Sequence, residues 1–171
     1  MRDLFLVVGR LFPANPAIDA AVTRARIDAP PGEAWRRLMF YEEVPQRPPL
    51  LLKLFLPSPV RTQGGAKEPG ATVECTYSRG GLAKRITVAE APRLLRFEVL
   101  EQRLGIEHCI TTVEGSYEIR AEGDGCEVAL TTRYRGVLRP RWLWRAVERF
   151  LAHQLHRHIL RGMGAKREGF R

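Results

Sequence analysis

The segment Pro140-Arg-Trp-Leu-Trp-Arg-Ala-Val-Glu-Arg-Phe-Leu-Ala-His-Gln-Leu-His-Arg-His-Ile-Leu-Arg-Gly-Met163 decides the fold. Pro140 suits a helix start, where its missing N–H is not needed, and no proline or glycine follows before Gly162. Stepping ~100° per residue puts Leu143, Trp144, Val147, Phe150, Leu151 and Leu155 on one face. Gln154 and His158 fall near the middle of that stripe, while Arg145, Arg149, His153 and His156 fall on the opposite, wet face. The spacing predicts a long amphipathic helix that covers an apolar interior. Polar side chains in the centre of a covered face need hydrogen-bond partners, supplied either by the protein or by a bound ligand.

What the helix covers is legible immediately upstream. Ala71–Ser78 leads through Arg79-Gly80-Gly81 into Leu82–Ala89, a hairpin signal. Glu90-Ala-Pro-Arg turns the chain into Leu94–Glu101, and a turn around Gly105 precedes a long strand over Glu107–Ala121. Gly123-Asp124-Gly125 marks a second hairpin, into Cys126–Tyr134. Alternation places Val73, Cys75, Tyr77, Ile86, Val88, Leu95, Phe97, Val99, Val113, Tyr117, Ile119, Val128, Leu130, Thr132 and Tyr134 on one side. The other side carries Glu74, Arg85, Arg96, Glu98, Glu127, Arg133 and Arg135. The pattern describes an antiparallel sheet with one wet face and one covered face.

Further upstream, Ala21–Ala29 alternates as a first strand and stops at Pro30-Pro31-Gly32. A short helix follows from Glu33, with Trp35, Leu38 and Met39 facing inward. Prolines 45, 48, 49, 57 and 59 punctuate the next stretch around Leu50–Leu56, which reads as a short buried helix, with a membrane-touching or pocket-gating segment as the alternative. Thr62–Gly70 reads as a polar loop. Residues 1–20 form an extension in which Leu4–Val8 is a strand, a short helix or an apolar flap. Arg10 interrupts that apolar run and no cleavage site follows, so a secretory signal is not expected.

The chain has 171 residues, enough for one domain with a substantial core. No run approaches the ~20 apolar residues of a spanning helix. Three cysteines, Cys75, Cys109 and Cys126, without a Cys-x-x-Cys pairing, point to reduced thiols and a cytoplasmic setting. A formal net charge of +9 favours acidic partners such as nucleic acid or an anionic membrane surface, with an arginine-rich solvated surface as the bland reading.

Three local patterns resemble the START and birch-pollen-allergen superfamily, often called SRPBCC. Ile27-Asp-Ala-Pro-Pro-Gly-Glu-Ala-Trp35 is similar to its first strand running into a helix. Arg85-Ile-Thr-Val-Ala-Glu-Ala-Pro-Arg-Leu-Leu-Arg-Phe-Glu-Val99 is similar to its central hairpin. Gly115–Ile119 continued by Asp124–Tyr134 is similar to its last hairpin. The resemblance implies an α+β helix-grip fold over residues 21–163: a curved antiparallel sheet wrapped around a long C-terminal helix, with short helices after the first strand. Residues 164–171 then remain as a basic C-terminal tail. It also implies a deep cavity between sheet and helix. Members bind lipids, quinones, sterols or polyketides, and others act as cyclases or dehydratases. The matching motifs are structural, so they assign no catalytic residue.

Alternation and helical projection direct Tyr77, Lys84, Tyr117, Thr132, Tyr134, Gln154 and His158 toward that interior. A mostly apolar cavity with a few convergent polar groups suits a small-molecule site. The expected function is binding of a hydrophobic small molecule or lipid, with docking at an anionic membrane surface through the arginines and Trp142 and Trp144. One alternative is a cofactor-independent polyketide cyclase/dehydratase-type enzyme, using His158 as general acid–base and Lys84 or a tyrosine to polarise a carbonyl. Another is a basic nucleic-acid-associated protein, disfavoured because no zinc-knuckle, RRM or helix-turn-helix signature accompanies the charge. His153-x-x-His156-x-His158 does not share one helical face and brings no carboxylate, so neither a metal nor a cofactor is expected.

Overall fold

The first strand alternates along its whole length: in β1 (Ile18–Ile27), Asp19, Ala21, Thr23, Ala25 and Ile27 are buried while the residues between them face outward. Its inward side chains are mostly small, which lets a helix approach closely. These features come from a computed structural model that describes residues 17–39, 59–63 and 68–170. The apolar run at Leu4–Val8, the expected helix at Leu50–Leu56 and the side chain of Met39 lie outside the described residues.

After β1 comes α1 (Pro31–Met39), which buries Ala34 and Leu38 and packs Trp35 against the core. Seven more strands follow: β2 (Pro59–Gln63), β3 (Thr72–Tyr77), β4 (Gly80–Glu90), β5 (Leu94–Arg103), β6 (Ile110–Glu122), β7 (Gly125–Gly136) and, after the long helix, β8 (Ala165–Phe170). They form one eight-stranded sheet in the order β2-β3-β4-β5-β6-β7-β1-β8. Every pairing is antiparallel. Both expected hairpins form: Tyr77 pairs with Gly80 and Glu122 with Gly125. Gly123 opens the second turn at φ 61°, a conformation that side chains with a Cβ resist. The helix α2 (Arg141–Gly162) packs on β1, β7 and β8, completing the expected helix-grip architecture.

Two segments differ from their expected roles. The first two residues of the expected polar loop, Thr62 and Gln63, end strand β2, whose first residue is Pro59. On the outermost strand a proline's missing N–H removes no ladder bond that the sheet requires. The expected basic tail is β8, which pairs with β1 at the other edge, burying Ala165 and packing Phe170 on the core. Its charges gave it the look of a solvated tail. One of them, Lys166, instead reaches Asp28 at 2.7 Å.

Alternation fails locally where strands bulge. A register shift in β6 between Thr112 and Glu114 puts Thr112, rather than the expected Val113, on the cavity wall. A second shift in β4 between Ile86 and Val88 brings Ala89 onto the core. The core itself divides in two. A larger cluster around Ile27, Leu38, Ile119, Val128, Leu160 and Met163 lies under α1 and the end of α2. A smaller one comprises Cys75, Leu82 and Leu104.

Candidate functional site

Residues of both core clusters, or packed on them, contribute to the wall of a cavity of about 280 Å³ between the sheet and α2. The sheet supplies Tyr77, Leu82, Lys84, Phe97, Thr112, Tyr117, Leu130, Thr132 and Tyr134, and the connection after β5 adds Leu104, Ile106 and Cys109. The helix supplies Trp144, Val147, Glu148, Leu151, Ala152, Leu155, His156 and Ile159. The wall is mainly apolar, with polar groups set into it at separate points, the composition that suits a small-molecule site.

The helix is turned from its expected orientation by most of one residue's ~100° step. Leu143 and Phe150, placed inward by hydrophobic projection, are exposed, whereas His156, placed on the wet face, is 1% exposed. The cause lies in what the helix meets. The inward residues of β1 include Asp19 and Thr23, and β7 presents Thr132. Polar groups of α2 therefore turn toward them, since buried polar groups must be paired.

His156 is bonded at both ring nitrogens: Nδ1 lies 3.0 Å from Thr23 Oγ1 and Nε2 lies 2.8 Å from Thr132 Oγ1. Thr23 Oγ1 also lies 2.7 Å from His153 Nδ1. With a neutral His156 the chain of bonds can run in either direction: Thr23 accepts a hydrogen from one imidazole and donates its own to the other, while Thr132 either accepts from Nε2 or donates to it. Burial, aided by nearby His153, pushes His156 down to about 3, so the ring is neutral.

At the helix start, a second polar cluster closes one end. Arg141 donates through Nη1 and Nη2 to the two carboxylate oxygens of Glu148, at 2.7 and 2.8 Å, and through Nη2 to Asp19 Oδ2 at 2.9 Å. Arg145 Nε completes the group 2.7 Å from Asp19 Oδ1. Glu148 is 6% exposed, and the bonds to it, with those to Asp19, raise Arg141 above its ordinary range. The cluster leaves no room for a side chain at Gly136, where a Cβ would stand 2.3 Å from Arg141 Nη1 and 2.4 Å from Glu148 Oε1.

Beside this cluster stands Tyr134, 1% exposed, whose hydroxyl has no hydrogen-bond partner among the described residues. Burial, reinforced by the carboxylates of Glu148 and Asp19, pushes it up to about 12, so it is a neutral donor. Burial likewise holds Tyr77 above its ordinary range. On β4, the Lys84 ammonium lies 4.5 Å from the centroid of the Phe97 ring. That ring occupies the space above Gly115, where a Cβ would stand 2.4 Å from it, and Tyr117 lies beside it at 6.5 Å between centroids.

Five of the seven expected site residues thus share one wall: Tyr77, Lys84, Tyr117, Thr132 and Tyr134. The other two do not reach it. Gln154 is half-buried away from the cavity, and His158, 3% exposed, is buried elsewhere with Nε2 unpartnered among the described residues. Glu148, His156 and Thr112 line the wall without having been expected there. The available signal for the first two was the polar parity of β1: Asp19 and Thr23 point inward and call for partners on the helix. Among the described residues, no three His, Cys, Asp or Glu side chains gather as metal ligands.

Residues 19–164 match the family described as "Polyketide cyclase / dehydrase and lipid transport". Among solved structures, norcoclaurine synthase from Thalictrum flavum, in complex with dopamine and hydroxybenzaldehyde, is similar with a TM-score of 0.59 at 12% identity, over 86% of this chain and 85% of that one. TTHA0849 from Thermus thermophilus has a TM-score of 0.58 at 19% identity, over 85% and 94%. The Aha1 dimer from Colwellia psychrerythraea has a TM-score of 0.51 at 14% identity, over 82% and 93%. At these identities the likeness shows the fold alone. No curated protein matches the sequence.

Proposed function

Because the chain belongs to the polyketide cyclase / dehydrase and lipid transport family, we propose that it binds a hydrophobic small molecule or lipid in the cavity beneath α2. The observation that carries this reading is the Tyr134 hydroxyl: a buried donor on an apolar wall, without a protein partner among the described residues. Leaving such a group unpaired costs about 1–3 kcal/mol, and a ligand carbonyl or hydroxyl offsets that cost. The family description supports the same reading.

Binding is better supported than acid–base catalysis. The imidazole on the wall belongs to His156, engaged at both nitrogens and pushed down to about 3, too weakly basic to take protons efficiently near neutrality. His158, the expected acid–base group, does not line the cavity. Native mass spectrometry of freshly purified protein, with organic extraction, tests the reading: a retained apolar molecule is expected, and protein that neither retains nor takes up any apolar molecule refutes it.

A second observation favours docking at an anionic membrane surface. Trp142 is 77% and Phe150 51% exposed, Leu143 is also exposed, and Arg139, Arg145 and Arg149 are exposed on the same stretch. Apolar and aromatic side chains beside arginines suit a bilayer interface. Among the described residues no helix is long and apolar enough to cross a membrane. Co-sedimentation with phosphatidylserine-containing vesicles, stronger than with neutral vesicles and weakened by Trp142→Ala and Phe150→Ser together, is expected. Equal partition to both vesicle types rules the docking out.

A further inference from the structure

We infer that the occupant of the cavity is an amphipathic anion, an acidic head such as a carboxylate on an apolar body, with its head seated on Lys84. The inference rests on the binding reading above and names the class of ligand.

Among the described residues, two side chains on the cavity wall carry formal charge, Lys84 and Glu148. They are treated very differently by the protein. Both oxygens of Glu148 are held by the fork of Arg141, so its charge is satisfied internally. Lys84 has no carboxylate within ion-pairing distance among the described residues, although acidic side chains are plentiful on the sheet's other face. There Glu98 pairs with Arg85 at 3.2 Å and Glu114 with Arg133 at 2.9 Å.

The position of Lys84 is imposed by the strand. Its inward neighbours in β4, Leu82 and Ile86, are both buried, and Lys84 shares their parity. The ammonium then rests over Phe97. A cation–π contact contributes about 0.5–2 kcal/mol but itself supplies the three N–H donors with no strong acceptor. An ammonium on an apolar wall is costly unless an anion reaches it. Among the described residues the wall supplies none, because Glu148 is already taken.

The remaining geometry describes the body of the molecule. Lys84 is on β4 and Tyr134 on β7, three strand spacings apart, or roughly 14 Å. Between them the floor is Phe97, kept flat against the sheet by Gly115, together with Tyr117 and Leu130. An acidic head at Lys84, an apolar body over Phe97 and a hydrogen-bond acceptor at Tyr134 match these three regions in order.

The test compares decanoate, decanol and decylamine, which share an apolar chain and differ in head charge. Binding is read by titration calorimetry and by the fluorescence of Trp144, which lines the cavity. Decanoate is expected to bind about tenfold more tightly than decanol, the scale of one hydrogen bond to a charged group, and decylamine more weakly than either. Lys84→Met should erase the preference for decanoate over decanol, and Lys84→Arg should retain it. Equal affinity for decanoate and decanol in the unaltered protein, or a preference that survives Lys84→Met, overturns the anionic head while the cavity reading stands. Failure of all three chains to bind overturns the cavity reading as well. The comparison in the unaltered protein decides the matter even where a Lys84 variant does not fold.

Discussion

At Tyr134 the requirements of binding and of stability pull apart. The ring is packed at 1% exposure, but its hydroxyl makes no hydrogen bond among the described residues. Tyr134→Phe removes an unsatisfied donor and keeps the ring, so the variant should be about 1 kcal/mol more stable in urea denaturation. Its affinity for whatever molecule co-purifies should fall by about fivefold to tenfold, measured by displacement titration. A loss of stability with unchanged affinity would instead mark the hydroxyl as structural. His156 behaves in the opposite sense, because its ring is fully bonded and neutral. Its folded-state pKa is depressed, so the unfolded chain binds the proton more readily. The stability it contributes is complete above the ordinary value of 6.5 and is lost as pH falls from there toward 3. Each pH unit within that window removes ~1.4 kcal/mol, so about 2 kcal/mol should disappear between pH 7 and pH 5. His153 and His158 are depressed too, burial being the first cause of each, and act in the same direction. Comparing urea midpoints of the unaltered protein with His156→Gln over that range isolates the His156 share, because the other two histidines remain in the variant.

The helix α2 illustrates how an element is placed by polar as well as apolar contacts. Hydrophobic projection put Leu143 and Phe150 on its inner face, with Gln154 and His158 near the middle, and none of these four lines the cavity. The observed inner face is instead anchored by Glu148 at its start and His156 further along, each held by partners on β1 or β7 or within the helix itself. Arg141 is central to this anchoring because it neutralises Glu148 and Asp19 together. Arg141→Leu leaves Asp19 with Arg145 as its one remaining partner among the described residues and Glu148 with none, and should cost about 3 kcal/mol in thermal or chemical denaturation. The double variant Arg141→Leu with Glu148→Leu removes one stranded charge and should recover part of that loss. If the two losses simply add, the pair is not an energetic unit. Gly136→Ala probes the same cluster from the backbone side, since its methyl would occupy the space held by the Arg141–Glu148 pair.

At the scale of the whole molecule, the architecture was legible because antiparallel strands with one covered face carry a period-2 signal and the helix carries its own period. The strands at 72–77, 80–90, 94–103, 110–122 and 125–136 and the helix at 141–162 lie within a few residues of their expected limits. The edge strands β2, opened by a proline, and β8, rich in charge, were hidden because an edge needs only one partner and tolerates charge or proline. The cavity wall was half legible. Sheet parity found Tyr77, Lys84, Tyr117, Thr132 and Tyr134, while the bulge at Thr112 and the turn of α2 moved residues that periodicity alone cannot track. The buried core residues fall into two clusters, both of which border the cavity, where open volume stands in place of close packing. That arrangement makes a direct prediction. Ala152 lines the cavity from the helix, and Ala152→Phe places a ring into the open volume. Filling space that the fold leaves open should raise stability by about 1 kcal/mol, provided the ring enters a relaxed rotamer. The same ring should abolish the rise in melting temperature that decanoate or an extracted ligand produces in the unaltered protein, because that rise reports binding to the folded state alone. A variant both stabilised and unresponsive would show that the open volume is kept for binding at the expense of stability. A variant that still shifts with ligand would place the bound molecule outside the cavity.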